Sequence, residues 1–438
     1  LLAAAQAPLG STMIAVALPS ITLDLHADPA LVASLLVTTY LIVNIVSQSP
    51  GGKLGDVLGH ARSIRLGMGL QALSGLVGIF ASRLGWLAFS RCALALGGAL
   101  VIPATMALLR LHVPAERRGR VFGLVGATMS LSAAIGPPLG GKLVTSFGWH
   151  AIFYVSLPCL ALAAVITRLA PPPAPGPGRR TSLREFARGF DWTGSALLTA
   201  SLVALVIVPK LHGAALWAAI AACAGFAFAF VRWELRCASP VLDPRLFQRR
   251  AFSAGSAIIG LSNFAMYGLL FSLPQFFQQV RGAKAEQVGA VLSAMTLATF
   301  VTSPLGGRLA DRIGARGVAL AGLCTMLAGV LWLGHAAALR TAFDAVGGLV
   351  LLGVGIGLST APAQAAAMAA IDSARSGMAA GATSTLRYLG GALSILMLSA
   401  ILGGEHNTIT AAAHETASIA FAVATAIATV TCLALPGR

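Results

Sequence analysis

Fourteen apolar runs, separated by short links rich in Pro, Gly and Arg, make up most of this chain. They fall near residues 1–20, 30–50, 63–82, 85–109, 121–143, 150–169, 193–209, 214–233, 252–278, 287–305, 317–335, 345–369, 377–402 and 416–435. A bilayer core needs roughly 20 apolar residues of helix to cross it, and these runs are of that length. A water-soluble fold has nowhere to hide them, because charged residues are only 10% of the sequence where soluble domains carry roughly 25%. The runs predict an all-α membrane protein with 14 transmembrane helices. They leave no length for a separate soluble domain of ordinary size. The chain opens at Leu1 inside an apolar run, and with no basic leader or small-residue cleavage site this reads as a first span that has lost its native N-terminus, not as a signal peptide.

Charge placement orients the runs. The net charge of +16 would suggest nucleic acid on a soluble domain, but here it suits membrane-flanking loops, since Lys and Arg gather on the cytoplasmic side. With both termini cytoplasmic, 22 of the 30 Lys and Arg residues fall in inner loops, six in outer loops and two, Arg91 and Arg387, inside spans. One missed span would scramble that bias, so it supports the even count. The expected location is a bacterial inner membrane, with no nucleic-acid partner. The six cysteines stand singly and read as small packing residues. No converging metal ligands, catalytic groups or phosphate-binding Gly-x-x-x-x-Gly-Lys-Ser/Thr loop occur, so no metal, no cofactor, no enzyme chemistry and no direct ATP drive are expected.

An internal repeat organises the spans. Gly51-Gly52-Lys53-Leu54-Gly55-Asp56-Val57-Leu58-Gly59 returns as Gly306-Gly307-Arg308-Leu309-Ala310-Asp311-Arg312-Ile313-Gly314, each copy after the second span of a set of six. The Pro-rich stretch Pro171–Gly178 cannot be helical, and the basic stretch Arg232–Arg250 makes a second seam. The layout is therefore an N-terminal six-helix bundle over 1–170, a linker with two inserted helices over 171–250, and a C-terminal six-helix bundle over 251–438.

These features resemble the major facilitator superfamily, and in particular its fourteen-helix drug/proton antiporter branch. The signature loop Gly-x-Leu-Ala-Asp-x-x-Gly-Arg-Arg is matched by Gly52 to Arg62 and again by Gly307 to Arg316. The resemblance implies a conformational latch of Gly52, Asp56, Gly59 and Arg62, repeated as Gly307, Asp311, Gly314 and Arg316. In such a latch a carboxylate meets the positive end of a helix dipole and can pair with a nearby Arg; a plainly capped tight loop is the alternative. Arg91 with Gly97-Gly98-Ala99 is similar to the fourth-helix motif, with Leu94 and Ala95 replacing its usual Gln and Gly. Gly136-Pro137-Pro138-Leu139-Gly140-Gly141 is similar to the fifth-helix antiporter motif, in which small residues permit close packing and proline bends the helix. Trp149 with Ile152-Phe153, Asp191-Trp192, Leu242-Asp243 with Leu246-Phe247, and Arg387 with Leu389-Gly390-Gly391 extend the likeness.

One departure is informative. The branch carries an Asp in its first helix as a candidate proton site, and Gly10 stands there in Leu9-Gly10-Ser11-Thr12. Glycine cannot titrate, which leaves Asp56, Asp311 or groups at the mouth to carry a proton. The resemblance implies a monomeric secondary transporter that exports small amphipathic or hydrophobic compounds in exchange for protons, with a lipid or lysolipid translocator or an importer as the alternative on the same fold. Its substrate would lie at the midplane among Gln6, Tyr40, Asn44, Met129, Tyr154, Asn263, Tyr267, Phe271, Gln275 and Met295, each of which can equally be packing glue. Arg91 and Arg387, without acids inside the spans, favour neutral or anionic cargo.

Overall fold

A computed structural model of the protein describes residues 2–27, 31–32, 34–169, 190–208, 211, 213–238, 240–283, 285–402 and 410–437. The Pro171–Gly178 stretch, Arg179, Arg180, Arg184, Arg188, Asp28, Lys210, Lys284 and Arg438 lie outside the described residues. Within them the chain is helical and holds no strand. The α-helices are α1 Leu2–Asp24, α2 Thr39–Leu58, α3 His60–Ile79, α4 Leu84–His112, α5 Arg118–Phe147, α6 Ala151–Tyr154, α7 Ser156–Leu169, α8 Trp192–Ile207, α9 Gly213–Glu234, α10 Arg250–Gln275, α11 Ala285–Ile313, α12 Ala315–Gly334, α13 Val346–Ala369, α14 Ser376–Leu402 and α15 Ala411–Thr431.

Among the described residues, eight of these helices are long and apolar enough to cross a bilayer alone, and α1, bent by 44°, makes a ninth. The count of 14 is not reached on those two criteria. α2 and α3 explain part of the shortfall. They bury Asn44, Gln48, Ser63 and Gln71 against protein, and a helix wrapped by other helices does not need an apolar surface all round.

The lipid-facing character of the rest is plain on α9. Its apolar window has mean hydropathy 1.8, yet only 6% of it is buried, and Trp217 and Phe228 stand 71% and 68% exposed. Water would not tolerate a continuous surface of that kind, whereas lipid tails cover it without cost.

The chain forms two compact units, each discontinuous in sequence. The first comprises Leu1–His112, Thr128–Phe190 and Asp372–Thr385. There α4 packs on α2 and α3, and Met13, Ile14, Leu36, Leu87, Trp149 and Phe153 belong to one buried cluster. The second unit comprises Val113–Ala127, Asp191–Ile371 and Leu386–Arg438. There α13 packs on α11, α12 and α10, with Ile258, Leu323, Leu352, Phe276 and Phe421 in the core. α13 buries Gly355, Gly357, Ala361, Ala363, Ala366 and Ala367. Such small residues let helices approach closely where lipid supplies no hydrophobic drive for association.

The sequence repeat is also a repeat of backbone geometry. α2 ends at Gly59, with φ +93°, and α11 ends at Gly314, with φ +94°. Each glycine N–H closes the preceding turn at 3.0 Å, on the carbonyls of Gly55 and Ala310. A side chain rarely adopts that φ, so glycine at both places lets a new helix start one residue later.

Candidate functional site

Asp56 lies in the last turn of α2, and its carboxylate does not pair with Arg62, which is exposed. Oδ1 instead accepts the Gly377 N–H at 2.7 Å and Oδ2 the Met378 N–H at 2.9 Å. Both N–H groups belong to the first turn of α14, where donors have no partner inside their own helix and the dipole is positive. The expected Arg is thus replaced by a helix start, which offers two donors already fixed in place. Asp311, in the last turn of α11, does the same within the second unit. It accepts from Gly119 N at 2.9 Å and Arg120 N at 3.0 Å, in the first turn of α5. Arg316 turns away and donates to the Leu435 carbonyl at 2.7 Å.

Close approach makes both contacts possible. Gly52 lies directly against Gly377, and Gly307 against Gly119; a Cβ on any of the four would collide with the opposing backbone. The first contact has further support from α4. Arg110 is buried and donates to Ser376 Oγ at 2.7 Å and to the Asp372 carbonyl at 3.1 Å.

One difference between the two copies touches the carboxylate directly. The position after Gly59 is His60, while the position after Gly314 is Ala315. His60 Nε2 stands 3.6 Å from Asp56 Oδ1, and its Nδ1 is buried without a hydrogen-bond partner. Both groups lie past the predicted spans, Asp56 in the last turn of α2 and His60 at the start of α3. Burial pushes the Asp56 carboxyl up to about 7, against the opposing pull of the Met378 and Gly377 N–H groups and Arg110. Burial pushes the His60 imidazole down to about 4, with His112 adding to the effect.

In the first unit Arg91 is 2% exposed. Its Nε donates to the Leu36 carbonyl at 2.9 Å and one terminal nitrogen to the Gly10 carbonyl at 3.3 Å. The guanidinium carbon lies 4.2 Å from the centre of the Tyr40 ring, a cation–π contact. Beside it is a cavity of about 30 Å³ bordered by Gln6, Gly10, Gln71, Ser74 and Arg91. That volume holds a water-sized guest and not a drug-sized one. Arg387, in the second unit, donates to Gln364 Oε1 at 3.3 Å.

The fifth-helix motif lies on α1. A Cβ on Gly136 would strike Thr12, and one on Gly140 would come within 3.2 Å of Met13 Cα. α5 continues as one helix through Pro137, Pro138 and Gly141. Trp149 Nε1 donates to Asp24 Oδ2 at 2.9 Å, with the His150 ring stacked on it at 3.5 Å. At the inserted pair, Asp191 caps α8 by accepting from Gly194 N and also accepts from Trp233 Nε1, both at 2.8 Å.

The candidate substrate residues divide between the units. In the first, Gln6, Tyr40 and Asn44 are buried, Met129 is half-buried and Tyr154 is exposed. Asn44 Oδ1 accepts from Gln48 Nε2 at 2.6 Å, leaving Asn44 Nδ2 and Gln48 Oε1 buried without partners. In the second, Asn263 is buried and spends its amide on the Ile259 carbonyl of its own helix. Met295 belongs to the core cluster, Tyr267 and Gln275 are half-buried, and Phe271 is exposed. Sequence reasoning missed Gln48, His60, Gln71, Arg110 and Gly377. Only His60 carried a signal, because it occupies an Arg position of the signature loop.

Lipid-facing apolar helices and a repeated carboxylate contact are the make-up of a multi-pass membrane transporter. This chain belongs to the major facilitator superfamily, whose model matches residues 1–395. The chain is 32% identical to the uncharacterized MFS-type transporter YvkA of Bacillus subtilis over 92% of its length and 89% of that protein. It is 33% identical to the multidrug resistance protein Stp of Mycobacterium tuberculosis over 84% of its length and 68% of that protein. Among solved structures, the human organic anion transporter MFSD10 superposes with TM-score 0.67 at 17% identity, covering 98% of this chain and 97% of that one. Membership makes the partners a small-molecule substrate and the lipid bilayer.

Proposed function

We propose that the protein exports small amphipathic or hydrophobic compounds, neutral or anionic, from the cytoplasm by alternating access in exchange for protons. The observation that carries this reading is the pair of equivalent contacts, Asp56 on the start of α14 and Asp311 on the start of α5. A contact of two backbone hydrogen bonds across touching glycines either fits or is lost, which is the kind of two-state element a rocking transporter needs. The likeness to Stp, a multidrug resistance protein, supports efflux over uptake.

On this reading the chain is a monomer of the fourteen-helix drug/proton antiporter branch. It sits in a bacterial inner membrane with both termini cytoplasmic, and its two six-helix bundles flank the inserted pair. The latches hold the cytoplasmic side closed, and the midplane candidates named above carry the substrate. Gly10 removes the usual proton site, so coupling falls to the groups outside the spans, with Asp56 and His60 the best placed.

Proteoliposomes with an imposed pH gradient test the whole of it. Efflux of an amphipathic dye should follow the gradient and reverse with its sign. Flux indifferent to a gradient of either sign would sink the proton exchange. Scrambling of labelled lysolipid in place of dye efflux would favour the lipid-translocator alternative.

A further inference from the structure

Arg91 is a cation in the wrong surroundings. A guanidinium keeps its proton under all ordinary conditions, and a charge buried away from water is stable only when paired. Here the partners are two backbone carbonyls and the face of Tyr40. No carboxylate stands within ion-pair distance among the described residues, and none borders the cavity at its side. Gln71 also borders that cavity; it is 1% exposed, with both its amide nitrogen and its amide oxygen lacking a hydrogen-bond partner. An unspent amide donor and an uncompensated cation border one space of about 30 Å³.

We propose that this space is a binding site for a small monovalent anion, chloride or the carboxylate group of a transported compound, held by the Arg91 guanidinium and the Gln71 amide N–H. The site occupies the place that a side chain at position 10 would otherwise fill. A Cβ on Gly10 meets only Leu94 Cδ2, at 3.0 Å, and that is the end of a flexible side chain. An external anion thus supplies the negative charge that this chain does not encode. The inference deepens the reading of the protein as an exporter of neutral or anionic amphiphiles, yet anion binding is measurable without any transport.

The test is the thermal unfolding midpoint of purified protein in nanodiscs, with chloride or acetate replacing methanesulfonate at constant ionic strength. A ligand bound only by the folded state raises the midpoint as its concentration passes Kd. The wild type should rise with chloride. Gly10→Asp, carrying its own carboxylate, should be as stable in methanesulfonate as the wild type is in saturating chloride, and indifferent to the exchange. Gln71→Leu should shift the chloride dependence to at least tenfold higher concentration. Acetate that raises the midpoint and competes with chloride identifies a subsite for carboxylate cargo; a response to chloride alone identifies an inorganic-ion site. Equal midpoints for the wild type in all three salts overturn the proposal. So does a Gly10→Asp protein that still responds to chloride as the wild type does. Dye efflux, read separately, stands or falls on its own.

Discussion

Gly52→Ala probes the contact between α2 and α14 without touching a charged group. The added methyl would strike the Gly377 carbonyl, 2.5 Å from its carbon, and come to 3.2 Å from Met378 N. Non-bonded carbon atoms sit about 3.5–4.0 Å apart, so the two segments must part by about 1 Å. The Asp56 bonds, now 2.7 and 2.9 Å, would then exceed the reach of a hydrogen bond. Two bonds to a neutral carboxyl are worth about 2 kcal/mol, and two to a carboxylate about 3–6 kcal/mol. The engaged population should therefore fall at least about 30-fold, since 1.4 kcal/mol is a factor of ten. Electron–electron distance measurements between spin labels at Arg62 and Ala374, both exposed, would read that population in a background with the six cysteines replaced. Gly69→Ala is the control, since a Cβ there meets nothing within 4 Å. A Gly52→Ala protein that folds and keeps the parental distance distribution refutes the reasoning.

Three further outcomes follow from the same geometry. The raised Asp56 carboxyl favours engagement fully below its free value near 3.8 and loses that effect as pH rises through about 7. The depressed His60 imidazole favours engagement above its free value near 6.5 and loses it as pH falls through about 4. The two slopes cancel between those limits, so the engaged fraction of the wild type should be flat there. In His60→Gln it should rise as pH falls, by up to tenfold per unit, and parallel curves by spin-label distance would contradict this. Gly59→Ala and Gly314→Ala each force a side chain into a backbone region that only glycine adopts freely, at a cost of about 1–3 kcal/mol; thermal unfolding should show similar losses for both. Trp149→Phe removes the bond to Asp24 and should cost about 1 kcal/mol, read as a small drop in the unfolding midpoint, with Asp24→Asn in the same background adding little.

Much of this was readable in the letters, and the failures have physical causes. The repeat around Asp56 and Asp311 stands out because the contact needs small residues, a carboxylate and a positive-φ glycine at fixed offsets. The partner of that carboxylate does not stand out, because a backbone N–H has no letter of its own. Gly377 lies 321 positions from Asp56, and only its smallness hints at a close approach. An Arg partner was the natural expectation, yet a helix start supplies two donors at less entropic cost than a long flexible side chain. Hydropathy likewise underrates α2 and α3, since Asn44, Gln48 and Gln71 are polar letters facing protein, not lipid. The buried environment of Arg91 was legible as a cost. Its lack of a carboxylate partner followed from Gly10, but Gln71 and the cavity beside it required the packing of α1, α3 and α4.

Because Asp56 and Asp311 each grip main-chain N–H groups, the target of either carboxylate cannot be altered by exchanging side-chain charge. Second-site revertants of Asp56→Asn should therefore not appear as new cations at positions 377 or 378. They should arise where the opposing state is weakened instead, and sequence covariation should link position 52 with position 377 through size, leaving position 56 silent. A genetic screen for restored transport would meet this contact as a steric constraint, although electrostatics is what it exploits.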